Sequence, residues 1–438
     1  MGVERGVRAP RGESKLLSNF VETHRLTRPL SSALMVSLTI TKTLIVECKQ
    51  SLNYFLPSAT SLLLSSLTAA QKGAAGGKLD LDIAARCASV FYAISTSTDP
   101  QLANLDTSTR SNYAEILKQL AALARYPTPP FAAGLDAEDT NRARLIGVGA
   151  LGGAVSGDVL YQSTFASQIA LILPALLANI SPSSSASSEK EGALLPFLRE
   201  ESQRAAEGKP LTYNAWRIKR QPIAVRRVPS IYDGGASHAD GEKGPSRMDV
   251  ARAAIGVLQA LFAHGDANQI QTLVAHTLDF LDGGSGGRLW DEEEWCVWLG
   301  MTLTQWSALQ YRFVIVSALS DHLIEVCDGK PTTQAKSLIS MITAILQGDS
   351  SLIGLSTSDV VNNLLGLSVR RVHEDLDDPL LPSLVEAVGA LGKHVYYAEQ
   401  MTDIAEEICA RIEMLQMPDA EHQEAALLFT PGAGMDRR

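Results

Sequence analysis

A chain of 438 residues is long enough for two or three domains or one extended repeat array. Its 45% apolar and 20% charged residues exclude a disordered chain. A net charge of −10 excludes a global electrostatic hold on nucleic acid, because neutralising phosphates needs a basic face.

Residues 1–29 form an N-terminal segment, expected to be partly disordered. It carries Arg5, Arg8, Arg11 and Lys15 but no apolar core, so it does not read as a secretory signal. Gly2 follows the initiator Met, but Gly6 stands where a myristoylation motif needs Ser or Thr. The first apolar run, Leu30 to Val46, is broken by serines, threonines and Lys42, too short and too polar to span a bilayer. It reads as a buried helix.

From there, apolar residues recur at three-and-four spacing almost to the end. Tyr113, Ile116, Leu117, Leu120 and Leu123 form one stripe, and Phe165, Ile169, Ile172, Leu173, Leu176 and Ile180 another. The spacing predicts helix pairs over 30–72, 79–125, 138–180, 248–282, 291–328, 332–371 and 379–416. Each is on the order of 40 residues, the length of armadillo and HEAT repeats. The predicted class is therefore an all-α, armadillo/HEAT-like helical-repeat solenoid, with a compact helical bundle as the rival. N-terminal repeats occupy 30–180 and C-terminal repeats 248–416, with a tail over 417–438. Ser246 with Asp249 and Ser356 with Asp359 match capping boxes at helix starts. Pro57, Pro100, Pro127, Pro331 and Pro379 are expected between helices, and Pro174 within one, bending it.

Between the two repeat arrays, residues 181–247 are rich in Ser, Gly and Pro and read as a flexible basic linker with a short helix from Leu194 to Ala206. Within it Lys209, Arg217, Lys219, Arg220, Arg226 and Arg227 occur without an acid, beside Tyr213 and Trp216. These six cations are candidates for contact with acidic lipid, each adding roughly 1 kcal/mol of attraction to an anionic leaflet. The alternative is a solvated linker.

Several patterns imitate catalytic motifs. Gly147, Gly149 and Gly152 match GxGxxG, but a helix-forming stretch precedes them and no acid follows at the required distance. Small residues that let helices approach are the better account. Gly73 to Leu79 resembles a phosphate loop without its Ser or Thr. Glu374, Asp375, Asp377 and Asp378 resemble magnesium-binding carboxylates of an α-helical enzyme, but no facing cluster matches them. Five scattered cysteines and eight histidines show no metal-ligand spacing. No enzyme activity, cofactor or metal is expected. The densest aromatic cluster is Trp290, Trp295, Trp298, Trp306 and Tyr311, either repeat core or a groove for a partner.

The same segment carries a resemblance. Leu261-Phe262, Ala267 to Ile270, Leu281-Asp282, Trp295 to Leu299, Leu303 to Trp306 and Leu309 to Phe313 are similar to fungal members of the Efr (rolling-blackout) family. Leu338 to Met341 and Gly354 to Val360 resemble the family's next repeat, and Arg144 to Gly147 with Ile172 to Leu177 an earlier one. The resemblance covers residues 30–416 and is strongest at 250–365. It implies a non-enzymatic armadillo/HEAT scaffold, peripheral at the cytoplasmic face of the plasma membrane. Such a scaffold anchors a phosphatidylinositol 4-kinase complex through an adaptor subunit and supports phosphatidylinositol 4-phosphate synthesis. Implied partners are that kinase, its adaptor and anionic membrane lipids, with no nucleic acid. Family members begin with a basic, cysteine-bearing segment, whereas the first cysteine here is Cys48. The expectation is that the family's start and end are missing from this sequence or that attachment has changed; without the anchor the protein would be cytosolic. A generic armadillo adaptor in trafficking or nuclear import is the alternative.

Overall fold

The apolar spacing resolves into fifteen α-helices and no strand among the described residues of a computed structural model. Those residues are 28–72, 79–99, 107–125, 135–182, 194–207, 245–283, 288–327, 332–394 and 398–416. In chain order the helices are α1 (Arg28–Glu47), α2 (Leu52–Lys72), α3 (Leu81–Ser97), α4 (Thr107–Ala124), α5 (Ala137–Val155), α6 (Phe165–Ile180) and α7 (Leu194–Ala206). They continue with α8 (Arg247–His264), α9 (Ala267–Gly283), α10 (Glu293–Trp306), α11 (Arg312–Val326), α12 (Thr333–Gln347), α13 (Thr357–Glu374), α14 (Leu381–Leu391) and α15 (Ala398–Gln416).

Local chemistry sets the helix starts. Asp80, Asp136 and Thr332 accept the backbone N–H three residues on, at 3.1, 2.7 and 3.1 Å. Ser246 and Asp249 form a reciprocal box, Asp249 Oδ2 accepting from the Ser246 N–H at 2.9 Å. Ser356 caps α13 as its spacing predicts. A further reciprocal cap joins Asp266 and Gln269 at the start of α9. Each such cap contributes about 1 kcal/mol by satisfying a donor the helix leaves free.

The chain divides into two compact units, the division falling between Leu261 and Phe262 near the end of α8. In the first unit α1, α3 and α5 lie side by side, and α2, α4 and α6 form a second layer against them. The closest packing across the layers joins α2 to α3 and α4 to α5, one helix out of phase with the sequence grouping. Phe91, Ile94, Ile116, Leu120, Val148, Leu151, Ile172 and Leu176 fill the space between the layers.

α5 is the centre of that unit, buried without a break from Ile146 to Val155. The GxGxxG glycines belong to this helix. A Cβ on Gly147 would stand 2.3 Å from the Ala124 backbone nitrogen, and one on Gly153 would stand 2.8 Å from Tyr92 Cα. Gly147 of the motif is therefore where α4 touches α5 backbone to backbone, as the small-residue reading expected, and Gly153 just beyond the motif does the same for α3. Beside them Arg144 Nε donates to Asn179 Oδ1 at 2.8 Å, and Asn179 Nδ2 donates to the Ala124 carbonyl at 2.9 Å. This chain of bonds ties α4, α5 and α6.

α7 lies within the stretch read as a linker, with the bounds predicted for its short helix. Buried Glu201 accepts from Arg204 at 3.0 Å and from Arg252 of α8 at 3.1 Å, while the Arg252 guanidinium lies 5.3 Å from the Phe197 ring centroid. Gln259 Nε2 donates to the Ala205 carbonyl at 2.7 Å. These bonds hold α7 against α8.

In the second unit α9, α11, α13 and α15 form one layer, and α10, α12 and α14 the other. Close packing across it joins α11 to α12 and α13 to α14.

Two expectations need correction. Pro57 lies inside α2, not between helices. As the sixth residue of that helix it forfeits one bond, to Asn53, which is exposed and can bond water instead. The Leu30–Val46 helix is buried on one face only: Leu34, Leu38 and Ile45 are covered, but Val36, Ile40 and Leu44 are exposed. Its apolar residues run around two faces, and α3 covers one of them. Pro174 lies inside α6 and Pro379 between α13 and α14, as expected. Pro100, Pro127 and Pro331 lie outside the described residues.

Candidate functional surfaces

The aromatic cluster is carried by a 3-10 turn (Arg288–Asp291), by α10 and by the turn Leu309–Tyr311. Trp290 and Trp295 are 2% exposed and Trp298 and Trp306 are 6% exposed, while Tyr311 is half-buried. The rings of Trp295 and Trp298 meet at 6.5 Å between centroids, tilted by 39°. Burying four indoles in one repeat removes a large apolar area from water and fixes α10 against α12. Trp290 also anchors polar ends: its Nε1 donates to Asp282 Oδ1 at 2.9 Å, and its carbonyl accepts from Ser337 Oγ at 2.7 Å. The Trp306 Nε1 is buried without a hydrogen-bond acceptor. The structure thus places these tryptophans in the repeat core.

Two polar nodes surround them. At the end of α9, Asp282 also accepts from Gln334 of α12 at 2.7 Å and lies 3.5 Å from the His322 ring of α11, which in turn lies 3.4 Å from Glu325. At the start of α10, Glu293 accepts from Ser340 at 2.7 Å and pairs with Lys336 at 2.8 Å. Hydrogen bonds from Lys336 and Ser340 hold the Glu293 carboxyl below its ordinary pKa. Neither node is legible in the sequence, since partners stand some forty or more positions apart. Both join neighbouring helices.

The acidic cluster behaves likewise. Glu374, Asp375 and Asp377 are exposed, but Asp378 is buried and accepts from Arg371 Nη1 at 3.1 Å. Arg371 Nη2 donates to the Cys327 carbonyl at 2.7 Å, and Asp378 Oδ1 accepts from the Leu380 N–H at 2.8 Å. One ion pair thereby joins the ends of α11 and α13 to the start of α14. Among the described residues no group of three or more His, Cys, Asp or Glu is placed to hold a metal ion. No described helix is long and apolar enough to cross a membrane. The basic candidates Lys209, Arg217, Lys219, Arg220, Arg226 and Arg227 lie outside the described residues, as does most of the phosphate-loop-like run.

Two-layered stacks of helices, tied by polar bonds between neighbours, define the class of all-α, armadillo/HEAT-like helical-repeat solenoid proteins. The crystal structure of Efr3 matches with a TM-score of 0.56 at 14% identity, covering 95% of this chain and 63% of that one, and shows the same fold. A family model described as EFR3 protein matches residues 304–429. Protein EFR3 of Mycosarcoma maydis is 44% identical over 421 residues, covering 93% of this chain and 39% of that protein. Protein EFR3 of Cryptococcus neoformans is 33% identical over 401 residues, covering 91% of this chain and 38% of that protein. The chain belongs to the EFR3 family. It spans about two fifths of the length of these curated relatives.

Proposed function

We propose that the protein is a non-enzymatic peripheral scaffold that anchors a phosphatidylinositol 4-kinase complex at the cytoplasmic face of the plasma membrane, and so supports phosphatidylinositol 4-phosphate synthesis. The observation that supports this best is the family match, which runs through 93% of the chain. The geometry is in keeping with it. The glycine run serves helix contact, the buried aspartate of the acidic cluster serves an arginine, and the indoles serve the core. Gly147, Asp378 and the four indoles are thus engaged in joining helices. A stack of helix layers offers partners a broad outer surface, the usual binding site of repeat proteins.

The kinase and its adaptor subunit are the proposed protein partners, and anionic lipids the proposed membrane partner. Lys209, Arg217, Lys219, Arg220, Arg226 and Arg227 would add electrostatic attraction to those lipids. A peptide-carrying import adaptor needs tryptophans facing outward to hold an extended chain; Trp290, Trp295, Trp298 and Trp306 face inward. Affinity purification of the tagged protein from its native cells tests the reading. Recovery of the kinase and adaptor, with the tag at the cell periphery, is the expected result. Recovery of neither, together with a uniformly cytosolic tag, overturns it.

A further inference from the structure

The first helix presents an apolar face that the neighbouring helices leave uncovered. Val36, Ile40 and Leu44 recur every fourth residue along α1 and are 59%, 55% and 46% exposed, while Tyr54 in the first turn of α2 is 83% exposed. The opposite face, Leu34, Leu38 and Ile45, already packs on the unit, so the outer stripe is not needed to fold α1.

The four hydroxyls between Ser37 and Thr43 are arranged so that losing water strands none of them. Ser37 and Thr41 donate to the Ala33 and Ser37 carbonyls at 3.0 and 2.8 Å, and exposed Thr39 and Thr43 donate to the Met35 and Thr39 carbonyls at 2.7 and 3.1 Å. A donor already bonded to the carbonyl four residues back carries little desolvation cost into an apolar phase. Charge is absent from the stripe as well. Lys42 is the one ionisable residue between Pro29 and Val46, and it turns inward to donate to Ser89 Oγ of α3 at 2.6 Å. The surrounding sequence has the opposite sign to the whole: residues 1–54 hold eight Lys and Arg against four acids, in a chain of net charge −10.

We infer that the Val36–Ile40–Leu44 face of α1 is a membrane-docking surface, with the helix lying in the plane of an anionic bilayer and its stripe in the boundary between headgroups and acyl chains. The inference rests on the membrane-scaffold reading and adds the place of contact. Eight residues of helix span about 12 Å, enough for a shallow in-plane seat rather than a crossing. Shape alone would equally admit an amphipathic helix of another protein. Lipid is favoured because protein partners are oriented by polar contacts at the rim, and here the Ser37, Thr39, Thr41 and Thr43 hydroxyls are spent within α1, while residues 1–54 are basic in sequence and so complement an anionic leaflet.

The test is sedimentation of the full chain with vesicles of phosphatidylcholine alone or mixed with phosphatidylserine, comparing the unaltered protein with Ile40→Asp, Leu44→Asp and Ile40→Trp. Thermal melting by circular dichroism verifies that each variant is folded. The expected result is binding that needs phosphatidylserine, a loss of about tenfold or more in partition for each aspartate variant, and a gain for Ile40→Trp. Ile40→Trp keeps the test decisive should an aspartate variant fail to fold. Unaltered protein that binds no vesicle, or variants that bind like it, overturns the inference. Aspartate variants that bind vesicles normally but lose the kinase complex on affinity purification also overturn it, and assign the stripe to a protein. In each of those cases the scaffold reading is decided separately, by recovery of the kinase complex with the unaltered protein.

Discussion

Replacing Gly147 by alanine adds one methyl group at the point where α5 meets α4. The new Cβ would lie 2.3 Å from the Ala124 nitrogen, 2.7 Å from its Cα and 2.8 Å from its Cβ. Ordinary contact begins near 3.4 Å, so the helices must part by about 1.1 Å or bend. The neighbour is backbone and cannot rotate away. Overpacking of this kind costs about 1–3 kcal/mol, and against rigid backbone the upper end applies. Alanine's better helix propensity returns only about 1 kcal/mol. The net expectation is a loss of about 2 kcal/mol. Gly366, inside α13, supplies the control, since a Cβ there meets nothing within 4 Å. Gly366→Ala should therefore stabilise by up to about 1 kcal/mol. Urea unfolding followed by circular dichroism compares the two, with the transitions of the two units fitted separately because a repeat chain need not unfold in one step. Equal stability of Gly147→Ala and Gly366→Ala would refute the close-approach argument.

Arg371→Met leaves buried Asp378 and the Cys327 carbonyl without their guanidinium and should destabilise the second unit by about 3–5 kcal/mol. Adding Asp378→Leu should recover part of that loss, measured by the same urea titration; no recovery would mean that the ion pair is not the source. Of the five cysteines, exposed Cys48 and Cys409 should react quickly with a maleimide in the folded protein. Burial pushes the Cys296 thiol up to about 12 and raises Cys87 and Cys327 above the ordinary thiol value, so these three should react only after denaturant is added, as mass spectrometry of labelled peptides would show. Glu293, held low by Lys336 and Ser340, contributes stability that is present above the ordinary carboxylate range and is lost as pH falls through its lower folded value. The stability difference between the unaltered protein and Lys336→Met should shrink on acidification across that window; a difference constant with pH would exclude the pair as its cause.

Much of this architecture is legible from residue spacing because helix periodicity and capping are local. Ser246 with Asp249 and Ser356 with Asp359 begin helices in the structure as they do on paper, and α7 has the bounds expected from Leu194 to Ala206. The glycine run was readable as a packing device because the residues before it form helix rather than strand. Pro57 departs from its expected place for a physical reason: a proline near a helix start costs little, and Leu52 and Leu56 before it are buried.

Periodicity by itself determined that the described residues are helical, that the helices come in repeat-length groups, and that the glycine run lies on a helix rather than after a strand. Tertiary structure alone decided which faces those helices cover: that α4 packs most closely on α5, that Asp378 finds Arg371, that four indoles point inward, and that one stripe of α1 stays bare. Apolar spacing records only that a face prefers to leave water. What comes to cover it depends on the positions of distant helices, and those follow from packing across the whole unit.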